Sequence, residues 1–388
     1  MRLQLNSSFT SDVLPEESVG RNTVGAALVS AAMSLLFSDL AMAENAPDRG
    51  AISLKYLDYL DSQPDKDRIL VRATAVKLVA PINGEWAIGA SGTTDVISGA
   101  SPAYHTTALK KLRDRRNAAD AEVTRYFQNN SVTLGVNQSK ESDYLARGFS
   151  LQASQSSEDR NTTWTAGIAK SRDTINPNNH IVNNEKKQVT EFLVGVTQVL
   201  TSDDIVQLNL GLSQGHGYFS DPYKALDSRP RDRQSHTVLL RWNHHIESQH
   251  STIRSSYRYF SDSWGTKAHT MGLEYVHPFS QGWILTPALR AYSQSAANFY
   301  IDAGPSDFPF PPNPPEGAIY FTEDQRLSAF GALTAGLKVS KQLNDDWLVD
   351  VKIEQYTQRS KWRLFGHGSP GLEPFYARSI QFGVSRQF

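Results

Sequence analysis

The sequence predicts an all-β protein, an antiparallel transmembrane β-barrel of about 14 strands behind an N-terminal signal peptide. Three observations support this fold class. Apolar and polar residues alternate through most of the chain, charged residues occupy the middle of the polar faces, and aromatic residues lie near the ends of the apolar faces. A barrel can cross a bilayer with strands because closure pairs every backbone N–H and C=O away from water.

Composition narrows the function classes. The chain has 388 residues with 39 basic and 40 acidic side chains, a net charge of −1, and this balance gives no reason to expect a nucleic-acid partner. It contains no cysteine, which excludes disulfides, thiolate nucleophiles and cysteine-ligated metals. No later stretch reaches the roughly 18 apolar residues that a membrane-spanning helix needs.

The N-terminal segment has the pattern of a secretory signal. An apolar run, Thr23–Ala43, follows Arg21 and closes on Ala41-Met42-Ala43, which is a small-x-small cleavage pattern. We therefore expect residues 1–43 to be a signal peptide and residues 44–65 to be a periplasmic extension before a barrel over residues 66–388. A single-pass anchor or a core helix is the alternative interpretation of the apolar run.

The body of the chain alternates with a period of two. The segment "WLVDVKIEQY" (Trp347–Tyr356) places tryptophan, valine and isoleucine on one face and aspartate, lysine and glutamate on the other. A strand with one apolar and one charged face fits a wall between lipid and a polar lumen. Strands of this kind are predicted to begin near residues 66, 84, 118, 143, 161, 187, 205, 234, 251, 267, 283, 322, 346 and 374.

The connections test this count. With both termini in the periplasm, the periplasmic turns should be short, and "SSEDR", "TSDD", "ESQ", "FSQG" and "LNDD" are short. The proline-rich stretch Gly304–Gly317 is then an extracellular loop, and "PING" is an outer turn. Residues 99–117 break the rule, because they are long and basic and yet fall on the periplasmic side.

The last segment, "YARSIQFGVSRQF", is an alternating strand that ends on an aromatic residue. We interpret Phe382, Val384 and Phe388 as the signal that the barrel-insertion machinery of Gram-negative bacteria reads. An ordinary edge strand is the alternative. The outer membrane is the expected location, and its lipid is an expected partner.

Charged residues of both signs are predicted to line the lumen. They are Arg241, Arg254, Arg258, Glu274, Arg290, Lys338, Asp350, Lys352 and Glu354. Such a set either pairs across the wall as a structural network or sets the field and selectivity of a pore.

Two further segments are weaker candidates. The acidic residues Asp58, Asp61, Asp65 and Asp67 could bind calcium, although their spacing is not that of an EF-hand loop and a solvated charge run also explains them. A possible docking segment leads from a turn into a basic run, which could meet an acidic partner. Its residues are Ser98, Gly99, Pro102, Lys110, Lys111 and Arg113.

Several motifs in order resemble an uncharacterised family of Gram-negative outer-membrane barrel proteins, domain-of-unknown-function family 3570. They are "DVISGASP", "ESDYLARGFS", "NTTWTAGIAKSRD", "GYFSDPYK" and "YRYFSDSWG". The resemblance covers essentially the whole mature chain and implies a barrel without an established activity. It also implies a redox setting, since genes of the family often lie beside those of a small lipoprotein, a thioredoxin-like protein and a flavin transferase.

Two functions remain open at this point. The first is a pore or transporter for an unidentified small solute, and the second is a scaffold that docks those periplasmic redox partners. No nucleophile motif or acid–histidine pair stands out, so we expect neither an enzyme nor a cofactor.

Overall fold

The computed structural model describes residues 45–64, 66–100, 111–224, 226–302 and 313–388, and the side chains of Lys66 and of residues 98–100 and 111–113 lie outside what it describes. The expected signal peptide, residues 1–43, also lies outside the described residues. The strands are β1 (Ala51–Gln63), β2 (Lys66–Ile82), β3 (Trp86–Ala100), β4 (Lys111–Tyr126), β5 (Asn130–Lys140), β6 (Tyr144–Ser156), β7 (Thr162–Ile175), β8 (Glu185–Val199), β9 (Asp204–Gly217), β10 (Asp227–Ser228), β11 (Asp232–Ile246), β12 (Ser251–Asp262), β13 (Lys267–Pro278), β14 (Trp283–Gln294), β15 (Phe321–Thr322), β16 (Phe330–Gln342), β17 (Trp347–Arg359) and β18 (Phe375–Gln387).

The long strands form one closed antiparallel barrel. Each pairs with its neighbour along the chain, and β1 closes the wall against β18, while β10 and β15 form a separate two-stranded ribbon. Gly50 and Phe388 exchange backbone hydrogen bonds of 2.8 and 2.9 Å beside the first residue of β1. We call this end of the barrel the terminal end and the opposite end the distal end.

The barrel has 16 strands, so the expected count of about 14 was too low. The first missed strand is β1, which occupies most of the stretch expected to be a periplasmic extension, residues 44–65. Ile52, Leu54 and Tyr56 face outward and are exposed, whereas Leu57 and Tyr59 face inward and are buried. Because "YLDYLD" has apolar residues on both faces, its alternation was hidden and its aspartates suggested an acidic cluster.

The second missed strand is β5. The segment predicted to begin near residue 118 contains both β4 and β5, joined by a turn at residues 127–129 in which the Phe127 N–H donates to the Asn130 carbonyl at 2.7 Å. That turn has neither glycine nor proline, the residues that usually announce one.

The two missed strands also explain the connection that broke the rule. Counting β1 moves the described residues of the 99–117 segment to the distal end and "PING" to the terminal end, so both earlier placements were wrong. All connections at the terminal end are now three to five residues long, and the long ones are all distal. The strand predicted near residue 322 begins at Phe330, because Phe321–Thr322 instead pairs with Asp227–Ser228 in the ribbon.

The outer surface of the wall is an apolar band. Its exposed residues include Leu134, Phe149, Leu210, Leu289 and Ile353. Aromatic residues ring the terminal end, and basic side chains lie over three of their rings: Arg125 over Trp86 at 4.8 Å, Lys341 over Trp283 at 5.0 Å and Arg386 over Trp347 at 5.4 Å. An apolar band bounded by an aromatic girdle with cationic neighbours is typical of a barrel in a bilayer. No helix among the described residues is long and apolar enough to span a membrane.

Candidate functional site in the lumen

Most inward-facing charges lie in one ring, which we call the belt. It comprises the inward charged residues three to seven strand positions from the terminal end of each strand. The basic members are Lys55, Lys77, Arg241, Arg254, Arg258, Arg290, Lys338 and Lys352. The acidic members are Asp120, Glu122, Glu274, Asp350 and Glu354. All nine charges predicted for the lumen are placed here by the strand register, on the face opposite the exposed apolar residues.

Sequence reasoning missed four members of the belt: Lys55, Lys77, Asp120 and Glu122. Lys55 belongs to the missed strand β1, and the β4 acids lie in the segment whose two strands were merged. The signal for Lys55 was present, because Ile52, Leu54 and Tyr56 alternate with Ser53 and Lys55 in the sequence. Extending the alternation to the N-terminal side of residue 66 would have found it.

Some belt charges are paired within the wall. Lys352 and Glu354 are 3.0 Å apart, Arg254 and Glu274 are 3.9 Å apart, and the buried Lys55 ammonium lies 4.0 Å from Asp350. Glycines on adjacent strands make room for the acids. A Cβ at Gly89 would lie 2.5 Å from Glu122 Oε1, and a Cβ at Gly383 would overlap the Asp350 carboxylate.

The arginines on the arc of the wall from β11 to β14 share one belt acid, Glu274. Arg241 donates to Gln207 and Arg290 donates to Thr334, both at 3.3 Å. The Nε and Nη2 atoms of Arg258 are buried and have no hydrogen-bond partner among the described residues. From β11 to β14 the belt therefore has more basic side chains than acidic ones.

The lumen is lined differently on its two sides. Inward residues of β1 and β2 form a buried apolar cluster with Phe375 and Tyr356, which includes Leu57 and Val71. The inward residues of β5 to β9 at belt height are small or uncharged. They are Thr133, Gly135, Asn137, Ser150, Gln152, Thr165, Gly167, Ala169, Leu193, Gly195, Gln207, Asn209 and Gly211. We call this stretch of the lumen the small-residue wall.

Loops partly cover the distal mouth. The Tyr223 hydroxyl, in the loop after β9, donates to Asp143 in the β5–β6 turn, and the Asn178 N–H donates to the same hydroxyl at 2.9 Å. The same loop is joined to residues 321–327 by the ribbon and by the buried pair of Arg229 with Asp324, 2.6 Å apart. We call this assembly the cap.

The cap is held by buried charges and apolar side chains. Burial alone would raise the pKa of Asp324, but Arg326, Lys224 and Arg229 hold it well below its usual range. Phe219, Trp264 and Leu327 pack together beside this network. The combination makes the cap an ordered part of the molecule.

One group of carboxylates at the distal end could hold a metal ion. Ligand atoms of Asp114, Glu141 and Asp143 all lie within 4.8 Å of one another. Burial raises the pKa of Glu141 to about 7, and the neighbouring acids add to the rise while Arg116 opposes it. Oxygen donors of this kind suit calcium.

The acidic cluster expected near β1 does not form a joint site. Asp58 faces outward and pairs with Arg72 at 3.0 Å, whereas Asp61 faces inward, is fully buried and accepts from the Ile69 N–H at 3.2 Å. Asp67 is exposed on β2, and Asp65 lies outside the described residues. Asp58 and Asp61 cannot share an ion because three strand positions separate them and they lie on opposite faces.

The remaining predicted residues are placed as follows. Ser98 and Gly99 lie at the distal end of β3, Lys111 and Arg113 lie at the distal end of β4, and Pro102 and Lys110 lie outside the described residues. Phe382, Val384 and Phe388 are exposed on the outer face at the terminal end.

Comparison with known structures finds the same kind of closed β-barrel among outer-membrane proteins. A bacterial polysaccharide outer membrane secretin aligns with a TM-score of 0.52 at 9% identity, covering 87% of this chain and 98% of that one. The siderophore receptor PirA from Pseudomonas aeruginosa aligns at 0.45 and 8% identity, covering 89% of this chain and 81% of the receptor. OccK11 (OpdR) from Pseudomonas aeruginosa aligns at 0.45 and 9% identity, covering 88% and 96%.

The family follows from a sequence match. The model of the family described as "Protein of unknown function (DUF3570)" matches residues 103–375, so the chain belongs to that family. No curated protein matches the chain.

Proposed function

We propose that the protein is a pore of the Gram-negative outer membrane that passes small solutes and prefers anions. The observation that carries the proposal is the belt, a ring of charges inside a barrel of 16 strands. Barrels of 16 to 18 strands leave an aqueous channel, whereas about eight strands leave room only for side chains. The Arg254 and Glu274 side chains are both 43% exposed, so these charges meet solvent inside the wall.

The preference for anions follows from the surplus of basic groups. Arg258 and Arg290 lie on the same arc as Arg254, and Glu274 is the acid of that arc. A low-dielectric wall strengthens the field of such groups relative to bulk water. Anions are therefore concentrated in the lumen.

The location in the outer membrane is part of the proposal. The apolar band would contact lipid, and the terminal end would face the periplasm because its turns are short. The insertion machinery would read the C-terminal strand. The protein should fractionate with the outer membrane and migrate faster on a detergent gel unheated than boiled, whereas recovery in the periplasmic fraction would contradict the location.

The docking alternative loses its candidate docking segment. The strand order puts the described residues of the basic segment 99–117 at the distal end, opposite the end that would face the periplasm. Periplasmic redox proteins or a small lipoprotein would have to bind at the short terminal turns instead.

Planar-bilayer recording tests the pore. The purified full chain should give a steady conductance. In a salt gradient, its reversal potential should be that of a channel more permeable to anions than to cations. Replacing Arg254, Arg258 and Arg290 with glutamine should move that potential toward the cation side and leave heat-modifiable migration intact. A folded protein without steady conductance would overturn the proposal.

A further inference from the structure

The acidic and basic side chains of the belt are concentrated on opposite sides of the lumen. Asp120 and Glu122 lie on β4, while Arg241, Arg254 and Arg258 lie on β11 and β12. In the barrel order, β4 is the fourth wall strand and β12 the eleventh of 16, so the acidic position and the basic arc from β11 to β14 are half a turn apart.

The two groups are also at the same height. Asp120 and Glu122 lie six and four residues before Tyr126, the terminal end of β4, and Arg254 and Arg258 lie three and seven residues after Ser251, the terminal end of β12. At about 3.3 Å per residue, both groups are roughly 10 to 23 Å along their strands.

The rest of the belt does not cancel this asymmetry. The walls from β5 to β9 carry no charge at belt height, and Glu191 on β8 lies one position above it. From β16 to β1 the charges alternate in sign and include the close pairs Lys352–Glu354 and Lys55–Asp350. Lys77 partly offsets Glu122, and Asp120 remains exposed to the lumen.

We propose that the belt sets a transverse field across the lumen that selects small zwitterionic solutes, with the carboxylate or phosphate turned toward β11–β14 and the ammonium turned toward β4. This inference rests on the proposed pore function and adds its solute class. A dipolar solute gains electrostatic energy from both walls at once, whereas a neutral solute of the same size gains none. The small-residue wall of β5–β9 adds no charge at this height that would oppose the field.

Swelling of proteoliposomes with three probes of similar size tests the inference. The probes are glycylglycine (zwitterion), N-acetylglycine (anion) and N-acetylglycinamide (neutral). One variant neutralises the acidic side (Asp120→Asn, Glu122→Gln), and a second neutralises the basic side (Arg254→Gln, Arg258→Gln). The control, Asp58→Asn with Arg72→Gln, removes an acid and a base from the outer face of the wall.

A transverse field makes the two variants agree in one readout and differ in another. The flux ratio of glycylglycine to N-acetylglycinamide should fall at least about twofold in both, because losing one unit charge roughly 8 Å away in water has about that effect and each variant loses two. The flux of N-acetylglycine should rise in the acid-side variant and fall in the base-side variant. The control should match the wild type in both readouts.

The outcomes separate this inference from the pore itself. If the probes pass but the zwitterion ratio is unchanged in either variant, the transverse field is wrong and the pore stands. If no probe passes through folded wild-type protein, the proposed function fails as well.

Discussion

At the scale of single residues, the fold depends on small side chains opposite large charged ones. Gly383 on β18 faces Asp350 on β17, and the space that a Cβ would fill is occupied by the Asp350 carboxylate. That carboxylate also lies 4.0 Å from the buried Lys55 ammonium on β1. The contact between β1 and β17 therefore depends on the absence of a side chain at position 383.

Gly383→Ala should destabilise the barrel by about 1–3 kcal/mol, because the new methyl group displaces a buried, charged carboxylate. The temperature at which the barrel unfolds in detergent, read from heat-modifiable migration, measures the effect. Gly92→Ala is the matched control, since nothing lies within 4 Å of a Cβ there. Equal unfolding temperatures for the two variants would contradict the account.

Burial of Glu141 should make the free energy of unfolding depend on pH. Its folded pKa is about 7, and an unfolded glutamate titrates near 4.3, so between these values the folded state holds a proton that the unfolded state has released. Stability therefore falls as pH rises through this window, by an amount on the order of 3 kcal/mol.

Glu141→Gln should remove that decline and should be more stable than the wild type at pH 8. Unfolding temperatures measured from pH 4 to pH 8 check this, with Glu158→Gln at an exposed terminal turn as the control. Parallel pH profiles of the wild type and Glu141→Gln would show that the carboxyl is not buried as described.

At the scale of elements, the sequence indicated the strands that have one clean apolar face. The strands β12, β13, β14, β17 and β18 begin within about two residues of their predicted starts. β1 was missed because Leu57 and Tyr59 pack against other inward residues and make both faces of its second half apolar, although its first half alternates. Period-two patterning is clearest where the lumen side of a strand stays polar.

The candidate site was predictable to a similar degree. Register follows from alternation, so inward charges such as Arg254 and Asp350 could be assigned from the sequence alone. Their pairing could not, because it depends on which strands are adjacent and on glycines such as Gly89 across the wall. The cap could not be predicted either, since its contacts join residues as far apart as Arg229 and Asp324.

Strand parity can be checked by labelling intact cells with a membrane-impermeant maleimide, because the chain has no cysteine of its own. Single cysteines at Asn178 and Glu316, in distal loops, should be labelled. Cysteines at Asn83 and Asn344, in terminal turns, should be labelled only after the cells are broken. Labelling at Asn83 on intact cells would restore the count of 14 strands.

At the scale of the whole molecule, the barrel combines three parts with different roles. A buried apolar cluster and ion pairs line the wall from β16 to β2, an uncharged wall runs from β5 to β9 at belt height, and the cap lies at the distal end. In the proposed pore, the cap would restrict the entry of a solute and the belt would select among the solutes that pass it.

The most direct test of this account is current block by a charged thiol reagent in a planar bilayer. Ser150→Cys places the thiol on the inner face of β6, and Leu151→Cys places it on the outer face one residue away. The sulfonatoethyl methanethiosulfonate anion should reduce the current through the Ser150→Cys protein and leave the Leu151→Cys protein unchanged. Equal responses from the two variants, or no current from either folded protein, would contradict an open lumen lined by alternate residues of these strands.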